Sequence, residues 1–363
     1  MINRDRLVNT FLELVCIDSP SGHEEAIGRD LAARLKALGL AVTQDATGNL
    51  IARLAGAGET AGDPPLLLSA HMDTVGTDTG IRPVVEGGVI RSDGTTILGA
   101  DDKSGAAVIL EVIQVLAEKN QAHPPLEVVI TVSEEQSLVG AKALDLEQLR
   151  AKEGIVLDSG GPIGTVIVSA PYQDKLFVTV HGRAAHAGAE PERGINAIRV
   201  AAEAIAAMPL GRIDDETTAN VGFIRGGVAT NIVPEEVELH CEARSRDEAK
   251  LVAQVQAMRD ALQEAAARHK ATVDLRQERS YDGFGLPFET PIVRRAITAI
   301  EALDLAPLLQ PSGGGSDANV FNSGGVATIN LSTGMAEVHT TNENIAIADL
   351  VQSAELLLRI VAR

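Results

Sequence analysis

Leu66-Leu67-Leu68-Ser69-Ala70-His71-Met72-Asp73 decides the fold: a short apolar run that delivers a histidine and an aspartate at its carboxyl end. Three more runs behave the same way. Leu126 to Val132, with one Glu inside it, leads into Ser133-Glu134-Glu135. Ile155-Val156-Leu157 leads into Asp158, and Val326 to Leu331 leads through a short loop to His339. Short runs rich in β-branched residues and bounded by turn signals read as strands buried on both faces of a parallel sheet. Ligands in such sheets gather beyond the carboxyl ends of the strands, so these residues converge on one place. Asp101-Asp102, in the glycine-flanked Gly99-Ala100-Asp101-Asp102-Lys103, adds a fifth candidate just ahead of an apolar helical stretch. Two histidines and several carboxylates at strand ends and loops form a donor set for one or two zinc-like ions.

Outward from that core the chain reads as α/β layers. Ser21-Gly22-His23-Glu24 matches a capping box opening a helix through Leu31, Leu35 and Leu38 to Gly39. Val42-Thr43-Gln44 and Leu50 to Leu54, joined across Thr47-Gly48-Asn49, read as a hairpin. Helices are expected over Ala106 to Lys119 and near Ala141 to Lys152, between the strands already named. After Pro171-Tyr172 the pattern changes. Strands at Leu176 to His181, Asn220 to Ile224, Val237 to Cys241 and Thr272 to Leu275 alternate with helices at Asn196 to Met208 and Asp247 to about His269. Two helices on one face of a roughly four-stranded sheet make a β-α-β-β-α-β, ferredoxin-like unit. His339 follows this unit, so it is inserted: residues 1–172 and 279–363 form the main α/β domain with a mixed, largely parallel sheet and helices on both faces, and 173–278 form an α+β lid.

Composition sets the outer bounds. At 363 residues two domains are the default. No stretch approaches the roughly 18 consecutive apolar residues of a membrane span, and the amphipathic start at Met1 to Arg6 shows no signal-peptide core, which points to the cytoplasm. Cys16 and Cys241 read as packed thiols. A net charge of −19 argues against nucleic acid, and the absence of Trp with only two Tyr argues against stacking platforms.

Each candidate also has a plainer reading. His71 and Asp73, two apart on an extended end, project to the same side, so His71 can bind a metal while Asp73 holds its other ring N–H; alone, the pair reads as structural or surface. Asp101-Asp102-Lys103 reads equally as a solvated turn with an ion pair. Adjacent Glu134 and Glu135 diverge at a strand end, so one can bind metal while its neighbour faces an attacking water; an acidic helix N-terminus is the alternative. Asp158 before Ser159-Gly160-Gly161 can be only a turn, and His339 with Glu343 only a surface pair. His23, His123, His240 and His269 read as structural. Ser312-Gly313-Gly314-Gly315-Ser316-Asp317 lacks the lysine of a phosphate loop and fits a backbone wall for a peptide or carboxylate.

Together these residues resemble the co-catalytic zinc metallopeptidase family of peptidase T, carboxypeptidase G, aminoacylase and succinyl-diaminopimelate desuccinylase, the peptidase T-like branch above all. The matching strings run in the family's order over almost the whole chain: Ser69 to Val75, Gly99 to Gly105, Thr131 to Glu135, Val156 to Asp158, Ala185-His186-Ala187-Gly188, Ala229 to Pro234, Glu242-Ala243-Arg244, Gly315 to Asn319, and His339. The resemblance implies a zinc-exopeptidase-like fold with a lid that also dimerises. It implies that His71 and Asp158 hold one zinc, Glu135 and His339 the other, and Asp101 bridges them, cobalt or manganese being tolerated by the same ligands. Asp73 would orient His71, Glu134 would be the general base, and His186 would stabilise the oxyanion. Asn231 and Arg244 would grip a substrate carboxylate, beside the backbone of Gly314, Gly315 and Ser316. The implied activity is hydrolysis of short peptides, tripeptides foremost, from the amino end, with carboxypeptidase or N-acyl-amino-acid amidohydrolase action, or a non-catalytic metal-binding scaffold, as alternatives. One departure stands out. Relatives usually show an aliphatic residue and a glycine after the paired glutamates, where this chain has Gln136 and Ser137.

Overall fold

The structure is a computed structural model and describes residues 1–362. The four apolar runs are neighbouring strands. Leu66–His71 lies between Leu126–Thr131 and Glu153–Gly160, parallel to both, and Ala327–Ala336 runs parallel to Glu153–Gly160 on its far side. All six residues of Leu66–His71 and all six of Leu126–Thr131 are buried. Successive side chains point to opposite faces, so both faces are covered and the sequence shows continuous rather than alternating hydrophobicity. Glu127 is tolerated inside the run because its carboxylate accepts the Arg150 and Ala151 backbone N–H groups at 2.8 Å. The sheet is mixed. The hairpin Ala41–Gln44/Leu50–Leu54 joins antiparallel to Leu126–Thr131, and Asn344–Ala346, Val89–Ser92 and Pro83–Glu86 extend the other side antiparallel.

Helix Ala100–Lys119 packs on this sheet and against the helices Arg4–Val15 and Ile347–Val361. It is buried over most of its length, which is why it is largely apolar from Ala106 to Leu116, its polar residues Glu111, Gln114 and Glu118 falling on one stripe where Arg6 pairs with Glu111 and Glu118. Asn120, in the left-handed conformation that Asn accepts more readily than most residues, ends it.

The chain divides into two compact units: Met1–Ser169, Gly285–Ser312 and the residues from Ser316 onward, and Ala170–Phe284 with Gly313–Gly315. The second unit is a five-stranded antiparallel sheet in the order Gly211–Arg212, Thr217–Gly226, Glu236–Ser245, Tyr172–His181, Thr272–Tyr281. Alternate residues Leu176, Val178, Val180 and Val237, Leu239, Cys241 form its core with the helices Ala197–Ala207 and Glu248–His269.

Three local expectations are corrected. The Ser21 to Glu24 box does not cap a helix: the helix is Glu25–Ala37 and Glu24 makes no side-chain cap bond. Ser21 Oγ instead donates to Asp73 Oδ2 at 2.7 Å, and Glu24 Oε1 accepts from Ser133 N and Oγ at 2.9 and 2.8 Å. The helix expected near 141–152 shrinks to Val139–Ala143 and a 3-10 turn, Leu146–Gln148, because Leu144 turns extended and the Asp145 side chain takes the Glu147 N–H. Cys16 ends the first helix exposed rather than packed, while Cys241 is buried.

Candidate active site

His71 ends its strand buried, with one ring nitrogen toward each neighbour. Its Nδ1 lies 3.3 Å from Asp73 Oδ1, and its Nε2 lies 3.0 Å from Asp101 Oδ1 and 4.0 Å from Asp158 Oδ1. The other oxygen of Asp101, Oδ2, lies 3.2 Å from His339 Nε2, which is itself 2.9 Å from Glu135 Oε1. Asp101 thus gives one carboxylate oxygen to each histidine. All five residues singled out as metal ligands meet at the carboxyl edge of the parallel strands.

The loops that present them are held by side chain to backbone hydrogen bonds. Asp73, fully buried, accepts from Glu134 N at 2.9 Å, Glu135 N at 3.3 Å and Ser21 Oγ, which ties down the paired glutamates, while His71 Nδ1 faces both its carboxylate and its backbone O, the latter at 3.1 Å. Asp101 and Asp102 are non-helical, with a cis peptide bond between them, and Asp102 uses its carboxylate to accept from His71 N at 3.2 Å and Gly105 N at 3.1 Å. Asn330, on the adjacent strand, brackets Asp158: its Oδ1 accepts from Asp158 N and its Nδ2 donates to Asp158 O. Lys103 departs from the solvated turn expected there. It is wholly buried, its Nζ donates to Ile17 O at 2.8 Å, and burial pulls its pKa down to about 8.

The electrostatics follow from crowding acids out of water. Burial, then the charges of Asp101 and Glu134, pushes Asp158 well above the usual carboxylate range; burial, then Asp317, Glu135 and Asp101, does the same to Glu134. Burial also pushes Asp101 up, but the hydrogen bonds to His339 and His71 outweigh it and hold Asp101 below its ordinary value. Asp101 and Glu135 raise His339 to about 10, and Asp101 and Asp73 overcome burial to raise His71 well above its ordinary value. A cation set fits this surplus of carboxylates. Ligand atoms of His71, Asp101 and Glu135 lie within 4.8 Å of one another, as do those of His71, Asp102 and Asp158. The buried Glu135 Oε1, close to His339 but out of hydrogen-bond geometry, is left without a hydrogen-bond donor.

The other singled-out residues lie in or beside the second unit. His186 is exposed, and its Nδ1 accepts from Gly188 N and Ala189 N, both at 3.1 Å, so the ring proton of the neutral form sits on Nε2. Asn231 is its neighbour across a short ladder: Ala187 N donates to Asn231 O, and His186 bridges Ile232. Arg244, half-buried, spends part of its guanidinium on Glu242, at 3.2 and 3.0 Å. Gly314 and Gly315 group with the second unit and Ser316 with the first. A Cβ on Gly315 would sit 2.4 Å from the Tyr281 ring, and Ser316 caps the helix Asp317–Ser323.

Two residues escaped the sequence reading. Glu343, expected as an exposed partner of His339, is buried and turned to the loop before Asp101. Asp317 is buried, its Oδ2 accepting from Thr131 Oγ1 at 2.5 Å, and burial lifts its pKa to about 6. Neither carries a local signal, because the partners lie 242 and 186 residues away.

Known proteins share both the sequence and this fold. A family model described as Peptidase dimerisation domain matches residues 175–270, and one described as Peptidase family M28 matches 49–201. With the site above, they make this a metal-dependent peptidase. The Bacillus subtilis protein YqjE is 46% identical over 99% of both chains. The aminopeptidase PepT of Bacillus cereus is 46% identical with a TM-score of 0.90, and a tripeptidase of Staphylococcus aureus is 41% identical with a TM-score of 0.95; each alignment covers 99% of this chain and 98% of the other. The chain belongs to the peptidase T-like branch of the M20 metallopeptidase family.

Proposed function

We propose that this protein is a two-metal aminopeptidase that releases the N-terminal residue of short peptides, tripeptides above all. The observation that carries the reading is Asp101, with one carboxylate oxygen toward each histidine and the buried Glu134 alongside. The substrate class draws on the relatives, an aminopeptidase and a tripeptidase at 41–46% identity.

His71 and Asp158 would hold one ion, Glu135 and His339 the second, with Asp101 between; zinc suits these nitrogen and oxygen donors best, and cobalt or manganese would serve. Bound at such a site, divalent ions lower the pKa of a water and polarise the scissile carbonyl. Asp73 fixes the tautomer of His71 and raises its basicity. Glu134, held by burial well above the usual carboxylate range, takes the proton of the attacking water and returns it to the leaving amine. His186 carries its proton on Nε2, the form that donates to an oxyanion. Arg244 keeps donors beyond those facing Glu242 for a substrate carboxylate, with Asn231 and the backbone of Gly314 to Ser316 as further contacts. The segment 175–270, matched by the dimerisation-domain model, would pair two copies into a homodimer. Two unpaired cysteines agree with the reducing cytoplasm.

The test is digestion of a free tripeptide, its N-acetylated form and its C-terminally amidated form by metal-replete protein. The free peptide should lose its first residue fastest and the N-acetylated form should resist. Cleavage of the N-acetylated form at an equal or higher rate overturns the aminopeptidase assignment in favour of an amidohydrolase or carboxypeptidase.

A further inference from the structure

Glu343 is a buried carboxylate that the proposed chemistry does not use. Its Oε2 accepts from Leu98 N and Gly99 N, both at 2.8 Å, and its Oε1 accepts from Asp101 N at 3.0 Å. Three backbone donors converge on one side chain, across 242 to 245 residues of sequence. The segment it holds includes Gly99, whose φ of +75° lies in the left-handed region, and it leads into the non-helical Asp101 and Asp102. Glu343 itself stands four residues after His339, in a tight turn where its own N–H donates to Thr340 O. A short covalent path therefore joins His339 to Glu343, one hydrogen bond joins Glu343 to the backbone of Asp101, and Asp101 Oδ2 returns to His339 Nε2 at 3.2 Å. The result is a closed ring.

We infer that Glu343 is a positioning residue for the metal centre: it fixes the backbone of Asp101 relative to the His339 loop, so that the central carboxylate is set before any ion arrives. The inference rests on reading His71, Asp101, Glu135, Asp158 and His339 as ligands. Charge-assisted bonds to three amides hold a backbone far more firmly than solvent would, and preset ligands bind with less ordering cost. Outer partners of metal ligands typically contribute about 10- to 100-fold in affinity.

Glu343→Gln cuts the link selectively. The amide oxygen can keep the Leu98 and Gly99 donors only by turning its NH2 group against the Asp101 N–H. Zinc titration of the metal-free protein by calorimetry should show two ions in the wild type, and in the variant at least one of them should bind about 10- to 100-fold more weakly. In an Asp101→Asn background the same substitution should cost much less affinity, because the link has lost its far end; a general loosening of the fold would cost the same in both backgrounds. Hydrogen exchange on the metal-free wild type needs no variant to fold, and it should show Leu98, Gly99 and Asp101 amides already protected. Wild-type zinc affinity in Glu343→Gln, equal losses in both backgrounds, or free exchange at Asp101 overturns the inference. A wild type that binds no divalent ion overturns the ligand reading itself, which keeps the two failures apart.

Discussion

Glu134 and Glu135 are chemically identical neighbours with different surroundings. Glu135 stands 2.9 Å from His339, within ligand distance of His71 and Asp101, whereas Glu134 is buried among acids that raise its pKa. Glu134→Ala should lower kcat at least about 10²-fold while metal content stays near wild type. Glu135→Ala should lower metal occupancy instead. Metal analysis beside steady-state kinetics checks both, and equal metal loss in the two variants would refute the division of labour. The sequence marked His71, Glu135, Asp158 and His339 as candidates because each follows an apolar run, and Asp101 because its glycine-flanked loop precedes one. Glu343 and Asp317 were hidden because their partners are backbone or hydroxyl groups far along the chain, and nothing adjacent to them marks a buried acid.

Among the elements, the central strands were the most legible. Burial on both faces leaves Leu66–His71 and Leu126–Thr131 almost continuously apolar. Strand Thr272–Tyr281 was read only to Leu275, because Arg276, Gln277, Glu278 and Arg279 look like a loop. They are strand residues with polar partners: Gln277 Nε2 and Arg279 Nε both donate to Asp174. The turn after the paired glutamates shows why a glycine would suit the second of the two departing positions. Ser137 has a φ of +73°, in the left-handed region, and is followed by Leu138 at +62°. A glycine meets no Cβ penalty there, whereas an L-residue costs about 1–2 kcal/mol, partly offset by the greater freedom of glycine when unfolded. Ser137→Gly should therefore raise stability by up to about 1 kcal/mol, with kcat unchanged. Denaturant unfolding measures it, and a clear loss of stability would show that the serine side chain outweighs the backbone term.

For the whole molecule, the acid-rich centre links stability to pH when metal is removed. Glu134, Asp158, His71 and His339 all have raised values in the folded chain. Such groups hold protons when folded that they lose when unfolded, so their contribution to stability falls as pH rises through that interval. The interval opens at the ordinary carboxylate values of 3.8–4.5, and for His339 it runs from 6.5 to about 10. Lys103 works in the opposite sense between about 8 and 10.5. Between pH of about 5 and about 8 the metal-free protein should thus lose thermal stability steadily, and added zinc should flatten the slope by replacing protons. Calorimetric Tm across that range decides it; a Tm that rises toward pH 8 without metal contradicts the assignment. The sequence reading of an inserted unit rested on His339 following it; the grouping of Gly313–Gly315 with the second unit had no such signal, since three glycines carry no hydrophobic pattern.

The strand Ala327–Ala336 lies beside Glu153–Gly160, yet Asn330 and the Asp158 it brackets are 172 residues apart. During synthesis, His71, Asp101, Glu135 and Asp158 leave the ribosome long before the strand Ala327–Ala336 and before His339. Closing so long a connection delays folding more than it weakens the folded state. Until that strand and His339 are made, the cluster of His71, Asp101, Glu135 and Asp158 lacks its second histidine and the Asn330 bracket on Asp158.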